Sequence, residues 1–427
     1  MSALTAAALF AQVVVLAPSG YVGTFGVGDR TEVRARSVLD GPPAFDVETA
    51  PYATLSLNGR RSTVTLSYTP RFSLFDVTVD RQFAVSNAAR LAFGWSATER
   101  LRLQLAASGA VGSDLAAQSF RSPSTVGAPV VAPPATGAPN SPSPTGAPVV
   151  APTFAPAAPV IDVLSYRADA GASYAFSRRT HGDVLAGYGG GRGLDAPSRA
   201  VVGEYYGPSG FGGVTHSVTR QDALATRVRA SYTYSSVFGS DYLEVTPSET
   251  WSHSFSLRTS GLLGAGASYL RTHPTRTSPL ATGVYPYAEG ALQHVIPLSL
   301  EDRLTFRAAT RLSVQYDPVL NAASPQASGV LASTWGSARY GVIATVEAVT
   351  TLPTDTIPET ARQIAGGITL FHAPSRVVRF ELGARGYVQD VPSGAIGGVG
   401  SAFAPGATTP QWLTFAALVL AAPPVAL

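Results

Sequence analysis

Apolar and polar residues alternate along long stretches of this chain, and no apolar run is long enough to cross a membrane as a helix. In Arg61–Leu74 the even positions are Val64, Leu66, Tyr68, Phe72 and Leu74, and the odd ones are Arg, Thr and Ser. Arg303–Tyr316 sets Leu304, Phe306, Ala308, Leu312, Val314 and Tyr316 against Arg303, Thr305, Arg307, Arg311, Ser313 and Gln315. Leu224–Ser235 and Arg376–Gln389 repeat the pattern. A period of two puts one residue class on each face of a strand, whereas a helix needs spacings of three and four. Only 13% of residues are charged and 45% are hydrophobic, against about 25% charged in a soluble domain. The richest apolar runs, Ala6–Ala17 and Leu413–Ala422, fall short of the roughly 18 residues of a spanning helix. A membrane chain without such helices can satisfy its backbone only as a closed sheet. The fold class expected is therefore all-β, an antiparallel transmembrane β-barrel.

Short polar turns, such as Asn58–Arg61, Thr219–Asp222 and Pro297–Asp302, alternate with longer connections. Asn58-Gly59 reads as a two-residue hairpin turn. The longer connections include Asp40–Thr49, Gly191–Pro208, Asp317–Gln326 and Asp390–Thr409. Bacterial barrels put short turns in the periplasm and longer loops outside. Eight turns and nine loops predict about 18 strands, with 16 as the runner-up. Residues 1–17 have the apolar stretch and small residues of a secretory signal but lack its basic start; a first strand is the alternative. Residues 18–427 form one barrel with a Pro/Ala/Gly-rich loop at about 114–161. That loop holds a near-repeat, Val126–Pro133 and Thr145–Pro152, and its proline density excludes both helix and sheet pairing.

Chemistry-bearing constellations are missing from the sequence. There is no Cys, the six His have no spacing that puts two on one face, and no GxSxG occurs. Gly187–Gly193 does not fit a dinucleotide-binding loop. No catalytic residue, metal site or cofactor is expected. The basic residues, all Arg, are dispersed along strands rather than clustered with aromatics, which argues against nucleic acid. On the register above they line the lumen instead: Arg34, Arg36, Arg71, Arg102, Arg227, Arg229, Arg303, Arg307, Arg311, Arg379 and Arg385, with fewer acids, Glu32, Glu347 and Glu381. Such residues either pair into a structural ladder or leave a watery, anion-favouring pore. Aromatics at strand ends (Trp95, Tyr188, Tyr232, Tyr234, Tyr285, Tyr287, Tyr316, Tyr340, Trp412) fit interfacial girdles. Tyr52 and Tyr387 are the inward-register rings.

The repeated hairpins, typified by Leu224–Ser236 and Arg303–Tyr316, resemble the outer-membrane, porin-like β-barrels of proteobacteria, including barrels associated with exopolysaccharide export. The resemblance spans about residues 20–427 and rests on class features rather than on one motif. Barrels of this class commonly end on an aromatic residue, whereas this chain ends Pro423-Pro424-Val425-Ala426-Leu427. The resemblance implies a pore in outer-membrane lipid, with polysaccharide and a periplasmic export protein as partners. The expected function is a channel for passage or export of a polar, anionic substrate, with exopolysaccharide leading. The alternatives are a passive porin for small solutes and a non-conducting surface barrel whose Pro-rich loop binds a partner. The barrel expectation predicts recovery in the outer-membrane fraction and gel migration that changes on boiling; a soluble chain with unchanged migration would contradict it.

Overall fold

The computed structural model describes residues 22–37, 43–76, 82–115, 160–201, 203–236, 239–272, 282–299, 301–317, 322–352, 362–390, 409–422 and 425–426. All their strands belong to one antiparallel sheet. The first stretch comprises β1 (Val22–Arg36), β2 (Ala44–Thr49), β3 (Tyr52–Asn58), β4 (Ser62–Phe75), β5 (Gln82–Ser96) and β6 (Leu101–Leu115). Next come β7 (Val160–Ala175), β8 (Thr180–Gly193), a short helix α1 (Ala196–Val201), β9 (Tyr205–Ser217), β10 (Asp222–Ser235), β11 (Ser240–Ser256) and β12 (Thr259–Thr272). The chain continues through β13 (Thr282–Pro297), β14 (Arg303–Asp317), β15 (Ala322–Gly336), β16 (Tyr340–Thr351), β17 (Arg362–His372), β18 (Val378–Asp390), β19 (Thr409–Ala421) and the two-residue β20 (Val425–Ala426).

Each strand pairs with the next, and β19 returns to β1 from Gly28↔Ala421 to Arg36↔Leu413, which closes the sheet. β2 and β3 are one strand in a single register on β1, interrupted at Ala50 and Pro51, where proline has no amide to donate. The Ala50 amide still bonds the Arg30 carbonyl at 2.9 Å. β20 extends the seam by pairing Val425 and Ala426 with Phe25 and Thr24 of β1. Counted this way the barrel has 18 strands.

Several sequence expectations are corrected. Asp40–Thr49, Gly191–Pro208 and Asp317–Gln326 are not all loop: β2 begins at Ala44, β8 runs to Gly193 and β9 begins at Tyr205, and β15 begins at Ala322. Asn58 stays in β3 opposite Thr63, so the first turn is Gly59–Arg61, closed by the Gly59 amide on the Ser62 carbonyl. Tyr285 and Tyr287 leave the girdle. Their register with Ser268 and Gly266 puts them on the inner face, where small partners make room for rings. Residues 1–17, nearly all of 114–161 and the side chains of Tyr316 and Tyr387 lie outside the described residues.

The outer face carries the large exposed apolar side chains, among them Phe83, Leu105, Leu331, Val346 and Leu382. Tyr166, Tyr188, Tyr206 and Tyr234 form a continuous row across neighbouring strands, with ring centroids 6.4, 6.4 and 5.3 Å apart. Toward the short turns lie Tyr174 with Phe176, Trp251 with His253, and Trp335 with Tyr340. Eight residues separate Tyr166 from Tyr174. That is about 26 Å along a strand, or about 20 Å along the normal at a tilt of about 40°, close to the apolar band of such barrels.

The short turns share a device. Thr98, Ser177, Thr219, Ser299, Ser337 and Ser375 each accept hydrogen bonds from the amides two and three residues on. These hydroxyls satisfy amides that the ladder leaves open at the hairpin end. At the opposite end α1 folds back inside the rim. A Cβ on inward-facing Gly193 would lie 2.3 Å from the Ser198 carbonyl carbon, and Ser198 Oγ accepts the Asp162 amide at 2.8 Å.

Replacing outward Val346 by Arg puts a charge in the apolar band and is expected to lower stability by about 2–4 kcal/mol. Arg at inward Thr345, beside Ala332 and Gly367, has a smaller effect. Urea unfolding in vesicles checks this, and equal losses at the two positions would contradict the inside–outside assignment.

Candidate functional site

The inner face inherits its chemistry from strand parity. Arg34, Arg36 and Glu32 stand in line on β1, Arg71 on β4, and Arg102 on β6. Arg227 and Arg229 follow on β10, Arg303, Arg307 and Arg311 on β14, Glu347 on β16, and Arg379, Glu381 and Arg385 on β18. Ladder registers place all fourteen on one face, the face of Ser73, Ser248 and Ser328.

That face divides into two walls of different charge. Around the closing seam every acid is bonded to an arginine. Arg379 Nε lies 2.9 Å from Glu381 Oε1, and Glu381 also binds Arg30. Arg30 reaches Glu32 at 2.8 Å, and Glu32 takes Arg34 Nε at 2.6 Å. Arg34 continues to Glu48, which lies 3.3 Å from Arg71 Nε. Arg36 Nε donates to Asp46 at 2.8 Å. The chain of pairs crosses β18, β1, β2 and β4, passing over the buried inner row of β19, Leu413, Phe415 and Ala417. Ala417 faces both Glu381 and Glu32 across the ladders, so its small side chain leaves the bridge unobstructed. Arg379 and Arg385 lie over the rings of Phe371 and Phe415, at 4.1 and 5.4 Å.

The other wall runs from β9 to β15. Arg227, Arg229, Arg307 and Arg311 have no carboxylate partner among the described residues. The acids there are bonded by neutral donors: Glu244 by Tyr242 and Thr246, and Glu289 by Thr250. Arg311 sits 5.5 Å over the Tyr287 ring, and its Nε is buried without a hydrogen-bond partner. The four arginines, Tyr287 and Glu289 line a cavity of about 760 Å³ that extends down to the short turns. Arg102 on β6 and Glu347 on β16 stand apart from both groups.

Between the walls, β7 and β8 carry a third arrangement. Arg167 Nε donates to Asp169 at 2.9 Å. A Cβ on Gly187 would lie 2.1 Å from Asp169 Oδ1. The glycine run therefore lets this pair lie flat against the wall.

The sequence reading missed Arg30, Asp46, Glu48, Arg90, Arg167, Asp169, Glu244 and Glu289. Arg30 was legible, since it shares parity with Glu32 and Arg34. Asp46 and Glu48 were hidden by the loop reading of Asp40–Thr49, and Glu289 by the outward reading of Tyr285 and Tyr287. Inward rings are also more numerous than Tyr52: Tyr205, Phe211, Tyr242, Tyr285 and Tyr287 face the lumen.

Glu32 holds two guanidinium groups and Glu347 none. Glu32→Gln is expected to lower unfolding stability by about 1.5–3 kcal/mol, the range for hydrogen bonds to charged groups. Glu347→Gln is expected to stay within about 0.5 kcal/mol. Urea midpoints of the two variants in vesicles check this, and comparable losses would contradict the division into walls.

Similar solved structures include OprD of Pseudomonas aeruginosa, at 9% identity over 95% of each chain and a TM-score of 0.43. OccAB1 of Acinetobacter baumannii is 9% identical over 93% of this chain and 96% of that one, with a TM-score of 0.45. A bacterial polysaccharide outer membrane secretin is 10% identical over 94% and 99%, with a TM-score of 0.36. No curated protein matches the chain. The family model described as the EpsX exopolysaccharide export family matches residues 16–396. This β-barrel belongs to the EpsX exopolysaccharide export family.

Proposed function

We propose that the chain is the conduit through which an acidic exopolysaccharide crosses the outer membrane. The observation that carries this reading is the unpaired arginine wall formed by Arg227, Arg229, Arg307 and Arg311. A guanidinium in a lumen needs a carboxylate, water or a passing anion to offset its desolvation. At the seam carboxylates do this, so those arginines hold the barrel shut and are unavailable to a substrate. On the β9–β15 wall water and transient anions do it.

The magnitudes suit movement. A charge pair at 4 Å is worth roughly 1 kcal/mol in bulk water and about 4 kcal/mol at an effective dielectric of 20. A contact of that size draws an anionic polymer in without holding it, and conduction through successive sites needs this balance. A neutral polymer would gain hydrogen bonds from such a wall but no charge attraction.

The test is complementation in cells lacking this chain, with surface polysaccharide as the readout. Arg227→Glu combined with Arg311→Glu reverses the wall and is expected to reduce export about tenfold or more, as like-charge juxtaposition costing over 1.4 kcal/mol would. The variant must still show heat-modifiable migration in the outer membrane. Export at the original level from a correctly inserted charge-reversed barrel would contradict the proposal.

A further inference from the structure

The β9–β15 cavity does not stop at the four wall arginines. It runs down to the short turns and is also lined by Arg179 and Arg220. Six arginines thus line one cavity: Arg179 and Arg220 at the turn rim, Arg227 and Arg307 above them, and Arg229 and Arg311 with them on β10 and β14. Two acidic residues are also in the lining, Asp222 and Glu289, and the arginines outnumber them. Asp222 is held by His253 at 2.6 Å and Trp251 at 3.1 Å, and Glu289 by Thr250 at 3.2 Å. Arg229 and Arg311 line the cavity together, and Arg229 feels Arg311 as well as the carboxylates of Glu244 and Glu289. Tyr287 fixes the Arg311 guanidinium against its ring. Phe211, directly opposite Arg229 in the ladder, adds an apolar surface. The volume lies in the range of pockets that enclose a ligand.

We infer that this cavity is a loading site at the periplasmic mouth for a carboxylate-bearing sugar segment, with Arg229 and Arg311 as its anion-binding pair and Phe211 as its ring platform. The inference rests on the export reading and deepens it. Planar guanidinium forks match carboxylate geometry in two parallel hydrogen bonds, which a diffuse positive field cannot reproduce. An aromatic face beside them offers a sugar ring the contact that its apolar side favours.

Equilibrium titration of the full chain in detergent tests the site without requiring transport, so its outcome is separate from that of the export assay. The probes are an oligogalacturonate and a malto-oligosaccharide of equal length. Only the acidic probe is expected to bind. Arg229→Gln with Arg311→Gln is expected to weaken it about tenfold or more, as loss of a charge-assisted pair does. Arg90→Gln with Arg102→Gln, on inner positions of β5 and β6, removes the same charge elsewhere and is expected to change affinity less than about twofold. Arg229→Lys with Arg311→Lys keeps charge and fold and is expected to lose affinity measurably, because Lys lacks the fork. Equal weakening by the two Gln pairs, unchanged affinity in the Lys pair, equal binding of the neutral probe, or no binding of the acidic one would each overturn the site.

Discussion

Inside a bilayer a backbone amide has no water to bond, and this one constraint organises the molecule. The chain meets it by returning β19 to β1, so that no strand edge faces lipid. Closure then forces the period-two alternation to mean inside and outside around the whole circumference. Most of the Arg, Asp and Glu within strands are accommodated because every second position faces away from lipid; Glu249, on the outer face, accepts from Thr226 beside it. The interruption at Ala50-Pro51 and the β1–β19 seam both lie beside the paired arginines and acids. Pairing there joins β18, β1, β2 and β4 through side chains as well as backbone.

The same closure separates two uses of arginine. At the seam most of it is structural, with Arg30, Arg34, Arg36, Arg71 and Arg379 paired to Glu32, Glu48, Asp46 and Glu381. On the β9–β15 wall no arginine is ion-paired among the described residues, and Glu244 and Glu289 offset only part of the charge of four arginines. For two of the wall arginines the difference comes from which residue sits on the adjacent strand: Arg36 meets Asp46 one strand over, whereas Arg227 faces Ser248 and Arg229 faces Thr246. Arg311 does face Glu289, whose carboxylate accepts from Thr250 on the far side instead. Serine and threonine satisfy backbone and side-chain geometry without neutralising charge, so that wall stays positive.

Much of the fold was legible because parity is a strong signal where it is uninterrupted. β14 and β10 could be read residue by residue, and their inner arginines with them. Legibility failed where short-range chemistry mimicked something else. Gly41-Pro42-Pro43 looks like the middle of a loop, yet a strand starts one residue later, and with it went Asp46 and Glu48. Tyr285 and Tyr287 look like girdle residues because they sit near a strand end. Their inward direction depends on Gly266 and Ser268 of the neighbouring strand, which no local pattern reveals. The Ser/Thr turn device was present in the sequence, at Thr98, Ser177, Thr219, Ser299, Ser337 and Ser375, but it becomes recognisable only once the hydroxyls are seen to accept two amides each. Which arginines are paired could not be read at all, since pairing is a property of register between strands far apart in the chain.

The central claim is that the lumen is a water-filled passage with a net positive wall. Reversal potential under a salt gradient, measured on the refolded full chain in a planar bilayer, tests it most directly. The account predicts a current that reverses on the anion side, with selectivity falling as ionic strength screens the arginines. A current that reverses on the cation side, or one whose selectivity does not respond to salt, would contradict it.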